Sequence, residues 1–384
     1  MRWLNLTIGL AFGAVAPLTA QTAERFSLAG DRVAISNLVG EMRVERGTGN
    51  AVVVEVTRYG SDADRLTVRT GEMDGWRSLR VVFPDDRIVY PKMSRFSRSE
   101  FDIHSDGSFG GRALRATLSE DGFSFPSNLR IGGGRTRVRV TGNGSGTEAY
   151  ASLRVLVPQG VTVAIQLGVG RVDVHQVNGH VRVEAMSGSV TASGVDGSLL
   201  ISTGSGGITV DQARGHVRLD TGSGSITADG VSNGSFIANT GSGGIAVANV
   251  ESSGVKLDTG SGSIRLDGVN APALDLSTGS GGIRAVRVTA RDLEVSTGSG
   301  SITLDLASDV RNARVNTGSG SVTVSLPSTV GAELLVDTGS GGINSDVPME
   351  LIQKKRSSLR GRLGDGQGRI EIDTGSGGVT LRAR

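Results

Sequence analysis

A glycine-rich turn that recurs nine times is the first place in this chain to look for chemistry. Thr-Gly-Ser-Gly, followed by Gly or Ser and then Ile or Val, begins at Thr203, Thr221, Thr240, Thr259, Thr278, Thr297, Thr317, Thr338 and Thr374. Turns of this composition cradle phosphates where a strand leads into a helix, with a Lys or the helix N-terminus at the anion. Here each copy leads into a second strand-like alternation, as in Ile264-Arg265-Leu266-Asp267. Calcium-binding β-rolls need an acid at a fixed place after a Gly-Gly-x-Gly run. The regular polar place here precedes the threonine instead, and holds Ser202, Asp220, Asn239, Asp258, Ser277, Ser296, Asn316, Asp337 and Asp373. Each of these can hydrogen-bond its own turn, so the motif is expected to be structural, with no cofactor and no metal.

Other reactive residue types are no better arranged. His104, His175, His180 and His216 lack the spacing of a tight metal site. The serines sit in turns, with no nucleophile elbow and no paired base. The acid pairs Asp85-Asp86 and Glu120-Asp121 fall in an irregular stretch, where a solvated loop accounts for them. The reading is therefore non-enzymatic, and a polysaccharide-active β-helix enzyme is the catalytic alternative.

Two groups of residues could instead bind. Between about Ser61 and Glu148 the repeat disappears and aromatics gather, among them Tyr90, Phe96, Phe101, Phe109, Phe123 and Phe125, interspersed with arginines. These types dominate protein recognition, although they could equally build a small core over the N-terminal segment. The second group is Lys354, Lys355, Arg356, Arg360 and Arg362, which lie where the motif spacing jumps. It reads as a loop closing the last rung, or as a contact for anionic envelope polymer or lipid head groups.

The elements that must position these groups follow from the repeat. Motif threonines are 18 to 21 residues apart, with one final step of 36. A period near twenty without helical patterning marks a stacked array. Apolar and polar residues alternate before each motif, as in Val255-Lys256-Leu257-Asp258, so each coil reads as strand, tight turn, strand, turn. Two degenerate copies, at Leu167 to Val172 and Ala185 to Val190, extend the array upstream. The expected fold is all-β, a single-chain β-solenoid of about 18–20 residues per coil over 149–384, with an insertion at 344–368. Residues 21–60 carry related strands and read as an N-terminal β cap, and 61–148 as an aromatic-rich excursion.

Composition agrees. Gly supplies 59 of 384 residues and aromatics only 4%, which suits thin repetitive β-structure. The chain has no cysteine, so no disulfide framework exists. Net charge is +2 and the arginines are scattered, which gives no footprint for nucleic acid. Residues 1–20 carry Arg2, an apolar run from Ile8 to Leu18, and Leu18-Thr19-Ala20 before Gln21. This is the pattern of a cleavable secretory signal, which would place the protein in the periplasm, on the cell surface or outside the cell, with no membrane span after its removal.

The strand ending in Val157-Pro158-Gln159-Gly160, the glycine-punctuated rungs, and the closing Ile370-Glu371-Ile372-Asp373-Thr374-Gly375-Ser376-Gly377 together resemble a bacterial adhesin-like domain of unknown function, the toastrack domain. The resemblance covers most of residues 30–384. It implies a right-handed solenoid in an exported or envelope-associated protein, and it carries over no catalytic residues. An adhesin-like scaffold that binds an envelope polymer, a surface glycan or a protein is the expected function. A sensory module for envelope stress remains the alternative.

Overall fold

The computed structural model describes residues 23–73, 75–104, 109 and 135–384, nearly all of them in strands. The expected signal segment, Phe123, Phe125 and Glu120-Asp121 lie outside the described residues. One coil shows how the sequence builds the rest. Gly254–Thr259 turns its Val255, Leu257 and Thr259 inward, and Ile264–Asn270 does the same with Ile264, Leu266 and Val269. Side chains alternate across a strand, so the polar residues between them face out.

Successive coils stack in parallel and in register, with one shift between Ala285 and Val288. Thr240 pairs with Thr259 and Thr259 with Thr278 in one ladder, while Ile245 pairs with Ile264 and Ile264 with Ile283 in the other. The motif Ile and Val side chains form one buried column, with Ile226, Ile264 and Val322 at 0% exposure. Burying such a side chain is worth about 1.5–3 kcal/mol, repeated at every rung.

The motif threonines are buried as well, and most of their hydroxyls stitch two rungs together; Thr338 instead bonds its own turn at Gly341 and the Ser357 carbonyl. Thr259 Oγ1 donates to the Gly243 carbonyl on the preceding rung at 2.8 Å and accepts from the Gly262 N–H at 3.1 Å. Thr240, Thr278, Thr297 and Thr317 repeat this pattern. The turn is thus closed by the threonine, and the polar residue before it ties neighbouring rungs instead, as where Asn239 Nδ2 donates to Asp220 Oδ1 at 2.7 Å. The last motif glycine is required by proximity: a Cβ on Gly262 would lie 1.9 Å from the Gly243 carbonyl oxygen. After the second strand begins, the chain bends at a left-handed residue. Those residues line up as Gly194, Gln212, Gly230, Asn249, Gly268 and Arg287, so that glycine alternates with a side chain. The alternation gives each long side chain room over a bare neighbour; a Cβ on Gly230 would meet Gln212 Cγ at 3.5 Å.

At both ends the spatial order of coils departs from the sequence. Gly368–Thr374 lies between Asn312–Thr317 and Ala332–Thr338, and Val379–Ala383 lies between Val322–Leu326 and Ile343–Ser345. The final coil therefore fills a slot one rung in from the end. Arg32–Arg46 does the same at the other end. It is flanked on one side by Thr162–His175 and on the other by Trp76–Val82 and Tyr150–Val157. The segment read as an N-terminal cap is in this part an interior rung, because its alternation matches the solenoid's. Antiparallel strands Thr67–Met73, Ala51–Tyr59 and Glu24–Ala29 then cover that end.

A small sheet of Arg87–Val89, Arg98–His104 and Arg135–Thr141 stands apart from the rungs. It packs a second core of Ile88, Tyr90, Phe101, Ile103, Phe109, Val138 and Val140 onto Leu38, Val39 and Val169.

Candidate functional site

Of the aromatics expected to recognise a partner, Tyr90, Phe101 and Phe109 are buried in this second core. They form the small core expected as the alternative to a recognition surface. They seal the side of the first rungs, where Leu38 and Val39 would otherwise be bare. Tyr90 packs edge-on to Tyr150 with ring centroids 5.1 Å apart, and burial, with Glu41 and Tyr150 adding to it, pushes its hydroxyl up to about 12. Phe96 is the exception, at 96% exposure on the segment between Val89 and Arg98.

The basic group is not a plain loop. Glu350–Lys354 and Ser358–Leu363 form an antiparallel hairpin, and its second strand pairs antiparallel with Ala332–Thr338 at the end of the stack. Leu359 and Leu363 anchor it in the core, while Arg360 and Arg362 between them face out. The register is interrupted between Leu351 and Gln353, and Leu351 and Ile352 stand 53% and 65% exposed. Arg362 lies in register with both Glu333 and Glu350, whereas Arg360 lies opposite Leu335 and Gln353. Lys354, Lys355, Arg356 and Arg360 are exposed, and among the described residues none has a carboxylate within ion-pair distance.

Cations on the rung faces are placed differently. Arg218 meets Asp220 at 2.9 Å, Lys256 meets Asp275 at 2.7 Å, Arg287 meets Asp267 at 2.7 Å and Arg314 meets Glu371 at 3.1 Å. Such pairs contribute little stability each, and they do not cover every rung cation: Arg265 and Arg284, in register on neighbouring rungs, are not among them.

The remaining candidates resolve into structural roles. Asp85 accepts from the Thr147 hydroxyl and pairs with Arg65 at 2.9 Å, contacts that hold its carboxyl below the usual range. His180, Ser198, His216 and Ser235 alternate along one column: His180 Nδ1 meets Ser198 Oγ at 2.6 Å, and His216 Nδ1 meets Ser235 Oγ at 3.0 Å. Among the described residues no three His, Asp or Glu side chains are placed to hold a metal. Asp337 and Asp373 lie in register on neighbouring rungs with no cation between them, as do Asp211 and Asp229. Burial, then Asp337 and Glu371, raise the Asp373 carboxyl above its ordinary value.

Sequence reasoning missed the exposed pair Leu351 and Ile352. A two-residue apolar run is unremarkable until the strand that carries it proves to be an outer edge.

A parallel stack of glycine-turned coils with interleaved ends defines this chain as a β-solenoid repeat protein. It belongs to the Toastrack DUF4097 family, whose model matches residues 151–382. A crystallised candidate cell adhesion protein from Clostridium sporogenes ATCC 15579 aligns over 94% of this chain and 99% of that one, at 9% identity and a TM-score of 0.21. No curated protein matches the chain. Among the described residues no helix is long and apolar enough to cross a membrane.

Proposed function

We propose that this protein is exported and works without catalysis, as an adhesin-like scaffold that contacts the cell envelope or another surface. The observation that carries the reading is the register of the rungs. Each outward position repeats along the stack, as in the column Arg218, Ile237, Lys256, Asp275, Glu294 and Arg314. Such a face is an extended platform for partners rather than a chamber for a reaction. Repeat stacks commonly use extended surfaces in this way. Export rests on the apolar segment Ile8 to Leu18 after Arg2.

Two measurements test the reading. Fractionation of producing cells should find the chain in the envelope or medium, shortened at its N-terminus near Ala20; retention of an intact chain in the cytoplasm would overturn export. Purified protein added to envelope preparations should co-sediment with them saturably. Absence of saturable attachment to envelope and host-surface material alike would overturn the scaffold role.

A further inference from the structure

We propose that the hairpin formed by Glu350–Lys354 and Ser358–Leu363 docks the C-terminal end of the solenoid onto an anionic lipid bilayer, a proposal that rests on the envelope-facing reading above. Three observations converge on it. Lys354, Lys355, Arg356 and Arg360 stand exposed without carboxylate partners, four cations gathered on one short hairpin. Unneutralised cations in a cluster attract an anionic surface. Leu351 and Ile352 project beside them, at 53% and 65% exposure. Apart from Phe96, they are the large apolar side chains left most open among the described residues. Finally, both groups sit on the hairpin that closes one end of the stack, the apolar pair and Lys354 on its outer strand, Lys355 and Arg356 in its turn and Arg360 on its inner strand.

The combination selects the partner. Edge strands are often protected from aggregation by lysines and bulges, and the interrupted register at Ile352 fits that role. A protected edge, however, gains nothing from two exposed aliphatic side chains, and neither does a contact with a soluble polyanion. A bilayer interface accommodates both, with the aliphatic groups among the acyl-chain ends of the head groups and the cations at the phosphates.

The chain has no cysteine, so Ile352→Cys in the full chain accepts a polarity-sensitive fluorophore at that site alone. Its emission should shift to the blue on vesicles of mixed phosphatidylcholine and phosphatidylglycerol, and should not shift on pure phosphatidylcholine. A label at Arg265→Cys, on an exposed rung position, should stay unchanged on both. Replacing Lys354, Lys355 and Arg356 by Gln should weaken the response roughly fivefold for each cation removed. An unchanged emission at residue 352 on anionic vesicles, or an equal shift on neutral ones, would overturn the proposal. So would a Leu351→Ser/Ile352→Ser chain that sediments with anionic vesicles as tightly as the wild type, which would point to an anionic polymer. Because the label reports contact at the hairpin alone, its silence alongside intact envelope attachment would remove this proposal and leave the scaffold reading standing.

Discussion

Asp337 and Asp373 face each other in register on adjacent rungs, as the two neighbouring carboxylates of a column that elsewhere interposes Asn239 between Asp220 and Asp258. Asn316 borders Asp373 on the other side, and with its amide nitrogen turned toward it donates to Oδ2 at 3.3 Å. Burial and the facing acid raise the Asp373 pKa. A carboxyl with a raised folded-state pKa favours the folded state when protonated, so its contribution is fully present below the unfolded pKa and lost as pH rises through the folded one. Asp373→Asn is expected to raise the melting temperature at neutral pH. The gain should shrink as pH falls toward the ordinary aspartate range. A gain that persists in acid would show that like-charge repulsion is not its source.

Ile264 is fully buried, while Arg265 beside it is exposed and reaches the Ser263 hydroxyl at 3.0 Å. Ile264→Asp places an unpaired charge in the core and should cost several kcal/mol. Arg265→Asp should cost under about 0.5 kcal/mol. Thermal or denaturant unfolding of the two variants gives the comparison, and similar losses would mean the strand faces are reversed.

Close backbone approach makes an equally local prediction. Gly262→Ala drives a methyl group into the Gly243 peptide, with approaches of 1.9 Å and 2.4 Å to its O and C atoms, and rung spacing leaves nothing to yield. At Gly342 a Cβ meets nothing within 4 Å. The first substitution should destabilise by about 1–3 kcal/mol or more, and Gly342→Ala should remain within about 0.5 kcal/mol of the wild type.

The threonine stitch separates hydrogen bonding from packing. Thr259→Val keeps the volume and strands both the Gly243 carbonyl and the Gly262 N–H, which should cost about 1–3 kcal/mol for each buried group left unpaired. Thr259→Ser retains the hydroxyl and should cost less. If the two variants melt together, the hydroxyl contributes no more than the methyl group that Ser lacks, and the stitch is not the source of the stability.

Much of this architecture was open to reading in the chain, and the limits have a physical cause. The constant offset from threonine to Ile or Val revealed both inward columns, because a strand period of two and a fixed turn leave no other face for them. The order of the rungs was hidden for the same reason. Thr317 could pair as well with Thr338 as with Thr374, since every rung offers its neighbour the same turn and the same inward residues, and only the hairpin at 350–363 settles which one does. The left-handed corners at Gln212 and Arg287 were invisible because neither residue favours that conformation. At the candidate site, charge was legible in Lys354 to Arg362. The exposure of Leu351 and Ile352 was not, since it depends on which strand ends the sheet.

The interleaved ends also bear on force. A solenoid whose last coil lay outermost could be peeled from its tip, one ladder at a time. Here a pull on the C-terminus draws first on Val379–Ala383, gripped by Val322–Leu326 and Ile343–Ser345, and then on Gly368–Thr374, gripped by Asn312–Thr317 and Ala332–Thr338, so two ladders must slip together before either strand is released. Arg32–Arg46 is held in the same way near the other terminus. Tension applied at the C-terminal end therefore meets doubly clasped strands, whereas at the other end the singly paired Glu24–Ala29 yields before Arg32–Arg46 is reached.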